Sequence, residues 1–168
     1  VSARDLHHLL RVHRSEMAGN QDAVVPFFTL SDLSGMMHGF IDLLFMHEGK
    51  YYVADYKSNF LGASQDDYQG PQMRHAIQSH NYDLQYLIYC WALDKYLQAR
   101  LPNYNRKADF GGVYYLFLRG MSPDFSPGTG IYTAGISDAL WAALEAVFAA
   151  KDFNKTEHSY SPEQGGVV

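Results

Sequence analysis

Residues 39–59 read GFIDLLFMHEGKYYVADYKSN, and the rest of the chain is organised around this stretch. Two β-forming runs flank Glu48-Gly49. Glycine at the second position of a two-residue turn suits the positive φ that a tight hairpin requires. Equal steps outward from the turn reach Asp42 on one strand and Asp55 on the other, so this register sets two carboxylates opposite one another. Opposed side chains of an antiparallel pair have Cβ atoms roughly 4.5–5.5 Å apart, and like charges there are destabilising. A divalent cation between them removes the conflict, because hard cations such as Mg²⁺ take carboxylate and other oxygen ligands. Lys57, two residues beyond Asp55, projects from the same face. The unit is two candidate metal ligands with an ammonium beside them.

The chain has 168 residues, enough for one domain with a sizeable core. It is 47% hydrophobic and 18% charged, a globular rather than a disordered composition. The net charge of −5 argues against nucleic-acid binding through an overall basic field. It leaves open a site that meets DNA through metal ions. One cysteine, Cys90, permits neither an internal disulfide nor a cysteine-based zinc cluster, and suits a reducing compartment. No apolar run is long enough for a membrane span, and no signal peptide is present, so a cytoplasmic location is expected. Val1 in place of Met leads us to expect a piece of a longer protein.

Around the hairpin, apolar spacing predicts a helix over residues 3–17, with Leu6, Leu9, Leu10 and His13 on one side and Arg14 among the polar positions. His7, His8 and His13 read as solvent-facing or half-buried. Residues 23–30 suggest an edge strand containing Pro26, and residues 31–35 a turn. Residues 36–46 form a run apolar enough to be buried on both faces, interrupted by Asp42. The strand over residues 50–58 puts Tyr51, Val53, Asp55 and Lys57 on one side and Tyr52, Ala54 and Tyr56 on the other. A polar loop follows to Gln69, and Pro71 suits the first turn of a helix to Ser79. Asn81 or Asp83 is expected to cap a helix running to Arg100, buried through Leu84, Leu87, Ile88, Trp91, Ala92 and Leu97. Residues 102–108 read as a linker, 110–118 as a strand, 122–130 as a loop and 130–133 as a short strand. Ser137 is expected to cap a last helix to residue 150, and the tail from residue 152 lacks periodicity. The expected organisation is one domain over residues 1–151 and a tail over 152–168. No P-loop signature is present.

Phosphodiester hydrolysis needs an activated water and charge stabilisation on the transition state and leaving oxygen, which a metal ion can supply. Asp42 and Asp55 would hold it, with the backbone carbonyl of Tyr56 as a third oxygen. Lys57 would orient or deprotonate the water, or balance phosphate charge. Ser58 and Asn59 either meet phosphate or shape the turn. Arg74, His75 and His80 are either phosphate contacts or a solvated helix face. His38 and His47 read as surface histidines.

Ile41-Asp42 followed across a hairpin by Asp55-Tyr56-Lys57 resembles the PD-(D/E)XK nuclease superfamily. The D-x-K triplet alone is a weak signal. Gln85 and Tyr89 add Q-x-x-x-Y, one helical turn apart, similar to the accessory motif of the superfamily's RecB-like branch. The segments GFIDLLF, HEGKYYVADYKSN, YDLQYLIYCWAL and FGGVYYLFLRG extend the likeness over residues 36–150, to C-terminal nuclease domains of the exodeoxyribonuclease V type. The resemblance implies an α/β restriction-endonuclease-like core, a mixed sheet flanked by helices. It implies DNA cleavage in double-strand break repair and in the degradation of linear DNA. One or two Mg²⁺ ions would be the cofactor, with Mn²⁺ or Ca²⁺ able to substitute in binding. Partners would be single-stranded DNA delivered by a bacterial helicase, and the RecC and RecD subunits. Catalytic roles would fall to Asp42, Asp55, Lys57, Gln85 and Tyr89. Gln85 would contact DNA or hold the site's geometry, and Tyr89 would join it or simply pack. Ile41 stands where the superfamily often has proline. The family also carries a metal-ligand histidine upstream of the first aspartate. No stretch here reads as that motif, with His13 and Glu16 as the only substitutes. The expectation is a chain that starts inside the domain and cuts poorly by itself. A catalytically silent interaction module is the alternative from another class. A two-carboxylate glycosidase fits the spacing but leaves Lys57 and Q-x-x-x-Y without a role.

Overall fold

A computed structural model of the chain describes residues 2–18 and 40–149. The strand expected over residues 23–30, the turn after it, the start of the next strand with His38, and the tail from 152 lie outside the described residues. Helix α1 spans Ala3–Ala18. The hairpin strands β1 and β2 span Leu43–His47 and Lys50–Lys57. A single 3₁₀ turn, Gln65–Tyr68, interrupts the loop after β2. Helices α2 (Gly70–Ser79) and α3 (Tyr82–Arg100) follow, then a short helix α4 (Arg106–Asp109). Strands β3 (Phe110–Phe117) and β4 (Ile131–Ala134) precede α5 (Asp138–Ala149). The sheet order is β1-β2-β3-β4, with β2 and β3 parallel and both outer pairs antiparallel. Helices α2 and α3 form the crossover that a parallel β2–β3 pair requires.

The hairpin has the register expected from its turn: Leu43 faces Ala54 and His47 faces Lys50. Glu48 and Gly49 both have positive φ, at 48° and 76°. Two features of the first strand differ from the sequence reading. Asp42 lies one residue ahead of β1, at a bend, rather than on the strand. The strand itself is not buried on both faces; Leu44 and Met46 are exposed. It is the end strand of the described sheet, so an apolar run here does not imply cover on two sides.

The inward face of the sheet is set by a bulge. Tyr51 pairs with Phe110, but Tyr52 pairs with Gly112, so Gly111 is passed over. Gly112 adopts φ of 125°, and a Cβ there would lie 2.8 Å from the Ala134 carbonyl oxygen. Only glycine meets both constraints. Beyond the bulge Val53, Asp55 and Lys57 stand level with Val113, Tyr115 and Phe117, and all six are buried. Phe45, Tyr52 and Tyr114 occupy the opposite face in ring contacts of 5.1–5.8 Å.

Helix α3 is buried through more of its circumference than one stripe. Asp83, Tyr86, Tyr89, Cys90, Leu93 and Asp94 join Leu84, Leu87 and Leu97 in the interior. Ile88 and Trp91 are half-buried and pack against this core, whereas Ala92 is exposed, contrary to the stripe expected for it. Asn81 holds the N-cap position in the left-handed region (φ 53°), but its side chain makes no cap hydrogen bond. It accepts from Arg14 instead. Asp83 does not cap either; it lies inside the first turn, paired with Arg14. Arg14 is therefore buried, not a polar surface position. Residues 102–108 are not all linker, because Asn105 caps α4 through the Lys107 and Ala108 N–H groups. Ser137 caps α5 as expected, accepting from Leu140 N–H at 3.1 Å.

His13 also departs from expectation. It is buried, its ring meets Tyr86 edge-on, and Nε2 bonds the Tyr86 hydroxyl. Burial lowers its pKa from 6.5 to about 4, with a smaller push from Arg14. The folded state therefore holds His13 neutral where the unfolded chain protonates it. Its contribution to stability is complete above the unfolded value and is lost as pH falls toward 4, an effect of up to about 3 kcal/mol. Burial raises the Asp55 and Asp83 carboxyls, which work in the opposite sense as pH falls. Comparison with a variant isolates the histidine. Urea denaturation at pH 7 and pH 4.5 is expected to show a smaller loss for His13→Gln than for the wild type. Equal losses would remove His13 as the acid-sensitive group.

Candidate functional site

Strand periodicity places Asp55 and Lys57 on the inward face of β2, where α3 packs over them. Lys57 Nζ lies 2.5 Å from Asp55 Oδ2 and donates to Gln85 Oε1 at 2.8 Å. The same ammonium sits over the Tyr82 ring at 3.7 Å and 4.7 Å from the Tyr115 ring centroid. Gln85 Nε2 donates to the Tyr89 hydroxyl at 2.9 Å, one turn further along α3. Tyr89 in turn donates to the Phe40 carbonyl at 2.9 Å, tying the helix to the backbone just ahead of Asp42. Asp42 Oδ2 accepts from the Tyr56 N–H at 3.0 Å. Asp42, Asp55, Lys57, Gln85 and Tyr89 thus fall into one locality bridged by the hairpin and α3.

Tyr82, Tyr115 and Asn59 belong to the same network, and sequence reasoning gave the tyrosines no role. The Tyr115 hydroxyl lies 3.0 Å from both the Tyr82 carbonyl and Gln85 Oε1 and shares one proton between them. The amide orientation of Gln85 is fixed from both ends: its oxygen faces two donors and its nitrogen faces Tyr89. Tyr82 precedes Gln85 by three positions and shares its helix face, a usable signal. Tyr115 carried none, because the bulge at Gly111–Gly112 hides its parity. Asn59 shapes the loop, accepting from the Tyr82 hydroxyl at 3.1 Å, while the Ser58 carbonyl accepts from Arg119.

Burial raises the Asp55 carboxyl, and the neighbouring Asp42 charge pushes it further, while Lys57 pulls it back. Burial raises the Tyr89 hydroxyl as well, with added pressure from Asp55 and Asp42. Burial and the Asp55 charge hold Tyr115 neutral. The Lys57 ammonium thus faces the buried Asp55 carboxylate, the exposed Asp42 carboxylate lies close enough to act on it, and the donors are hard oxygens. That chemistry fits a cation such as Mg²⁺, which binds through one or two carboxylates and fills its remaining positions with water and substrate phosphate.

The other candidates separate from this locality. His13 is engaged with Tyr86, and both Glu16 oxygens accept from the Ser137 hydroxyl, so neither substitutes for an upstream ligand. Among the described residues no group of three His, Cys, Asp or Glu side chains is placed to hold a metal. His8 and His47 are exposed and His7 half-buried. Arg74 is exposed, whereas His75 and His80 line a groove beside the site. No helix among the described residues is long and apolar enough to cross a membrane.

A four-stranded mixed sheet flanked by helices, with the carboxylate hairpin at one end of the order, is the arrangement of a restriction-endonuclease-like α/β core. No protein-family model matches the chain. Individual relatives do. It is 46% identical over 124 residues to RecBCD enzyme subunit RecB of Escherichia coli strain K12, covering 74% of this chain and 10% of that protein. It is 47% identical over 116 residues to the same subunit of Haemophilus influenzae, covering 69% of this chain and 9% of that protein. A RecB subunit of Mycobacterium tuberculosis is 37% identical over 105 residues. The chain belongs to the RecB family and spans about a tenth of the length of these relatives.

Proposed function

We propose that this chain carries the cleavage site of a divalent-metal-dependent DNA nuclease of the exodeoxyribonuclease V type. It would act within a RecBCD-type complex beside RecC and RecD subunits, on single strands that the complex's helicase delivers. The observation that carries the proposal is the cluster in which Lys57 Nζ lies 2.5 Å from Asp55 Oδ2 and is held by Gln85, while Asp42 accepts from the N–H of Tyr56, the residue between them. Asp42, Asp55 and the Tyr56 backbone carbonyl would hold the ion. When bound, Mg²⁺ would lower the pKa of its water and act as a Lewis acid toward the phosphate. Lys57 Nζ is held by a carboxylate, an amide oxygen and two ring faces. Its role is to orient or deprotonate the attacking water, or to balance charge developing on the phosphate. Gln85 and Tyr115 hold that ammonium in place. Tyr89 holds the Phe40 backbone, and with it the approach to Asp42. A silent interaction module would not need both carboxylates and the lysine kept in this geometry.

Two carboxylates and one carbonyl are few protein ligands for Mg²⁺, which fills its remaining positions with water, so weak binding is expected. A Mn²⁺ titration followed by calorimetry and thermal denaturation is expected to show saturable binding and a rise in Tm for the wild type. Asp42→Ala and Asp55→Ala are each expected to remove both. A Tm response that survives in both variants would place the ion elsewhere and refute the assigned ligands.

A further inference from the structure

Beside the metal-ligand pair, the chain leaving β2 and the outer side of α2 enclose an open groove of about 550 Å³, within the size range of ligand sites. Its walls include Phe60, Pro71, Gln72, His75, Ser79 and His80. Phe60 is 67% exposed, although a large aromatic ring gains from burial. The Arg119 guanidinium lies 5.9 Å from the Phe60 ring centroid, and its Nε is anchored on the Ser58 carbonyl at 2.9 Å. An exposed ring with a tethered cation beside it is the pairing by which proteins hold unpaired bases and their phosphates.

The groove also connects to the catalytic locality. His80 lies against Asn59 at 3.4 Å and stacks on Tyr82 at 5.2 Å between ring centroids. Tyr82 bonds Asn59 and underlies the Lys57 ammonium. Phe60 is three residues beyond Lys57, so their backbones are at most about 11 Å apart. A strand whose phosphate is at Lys57 would bring a neighbouring nucleotide to Phe60. The lining sets Gln72, His75, Ser79 and His80 beside Phe60, Leu61, Pro71 and Ala76, so polar groups for a base edge and a phosphate adjoin apolar surface for the face of a base. The loop's Asp67 is engaged by the Ser64 N–H and hydroxyl at 2.8 Å each.

We infer that this groove is a subsite for the nucleotide flanking the scissile phosphate, with its unpaired base stacked on Phe60 and its phosphate met by Arg119. The inference rests on the nuclease reading for its place beside the cut, but binding can be measured without cleavage. The test uses the full chain in metal-free buffer, with oligo(dT) and an abasic oligonucleotide of the same length as probes. Phe60→Ala is expected to weaken oligo(dT) binding about 5- to 100-fold, and Phe60→Trp to preserve it. Tryptophan emission of Phe60→Trp, after subtraction of the wild-type signal, is expected to be quenched by oligo(dT) and not by the abasic probe. Unchanged affinity in Phe60→Ala overturns the inference, as does the absence of oligo(dT) binding by the wild type. Equal binding of the two probes assigns the groove to phosphate alone and overturns the stacking. The two proposals separate on cleavage: persistent cleavage by Asp55→Ala in the full-length subunit would defeat the nuclease reading, whereas oligo(dT) binding by Phe60→Ala in metal-free buffer decides the groove alone.

Discussion

Asp55→Ala in the full-length subunit is expected to abolish DNA cleavage, by about 10³-fold or more, while ATP-driven unwinding continues. Three effects converge on that residue. It is buried beside a second carboxylate, so its charge is felt in a poorly screened setting. It supplies one of only two described carboxylates to the proposed ion. It is also the partner that holds Lys57 at 2.5 Å. Lys57→Ala removes the ammonium and leaves the carboxylate pair, so a smaller loss of about 10²–10³-fold is expected. Lys57→Arg is not expected to restore activity, because a planar guanidinium does not reproduce a point charge fitted between Gln85 and two rings. Gel assays of cleavage, run beside an unwinding assay on the same preparations, decide the matter. Cleavage that survives in Asp55→Ala refutes its role, and joint loss of unwinding would indicate a folding defect instead.

Asp83→Ala is expected to be the most destabilising single substitution among the residues discussed, at about 3–5 kcal/mol. Arg14 donates to both Asp83 oxygens, from Nε at 2.6 Å and Nη2 at 2.9 Å, and both side chains are almost fully buried. Arg14 also donates to the Gln78 carbonyl and to Asn81. This network ties α1 to the α2–α3 turn. Removing the carboxylate leaves an arginine charge in the interior. Against a total stability of about 5–15 kcal/mol that loss is large. A fall in Tm of about 6–20 °C is expected for a chain of this size. Replacing both partners with apolar residues of similar volume, Arg14→Met with Asp83→Leu, should recover most of the loss. A cost below about 1 kcal/mol for Asp83→Ala would mean that water reaches the pair. The site would feel the damage as well, because Gln85 is only two residues beyond Asp83 on α3.

The features legible in the sequence are those set within a few residues. The Glu48-Gly49 turn announced the register that pairs His47 with Lys50 and Leu43 with Ala54, although Asp42 itself lies at a bend just ahead of the strand. Strand alternation put Lys57 on the side of Asp55, and the helix over 82–100 was visible with Gln85 and Tyr89 one turn apart. The misreadings share a cause. Arg14 and Asp83 are 69 positions apart, and nothing local marks either as half of a buried pair. His13 looked like one more helix histidine until Tyr86 met it from α3. The apolar run before Met46 suggested two covered faces, and the end strand of the described sheet does not need them.

The sequence by itself determined the hairpin turn, its register and the shared side of Asp55 and Lys57, because turn chemistry and a two-residue period are local properties. Only the tertiary structure decided what Lys57 touches. That depends on the bulge at Gly111–Gly112, which advances β3 by one residue and turns Tyr115 to the side of Asp55. A one-residue change of register exchanges the two faces of a strand. Without it Tyr114 would stand beside Asp55, and Gln85 would lose one of the two donors to its amide oxygen. The chemistry was written locally in the hairpin, but the aim of its ammonium comes from packing between segments far apart in the chain.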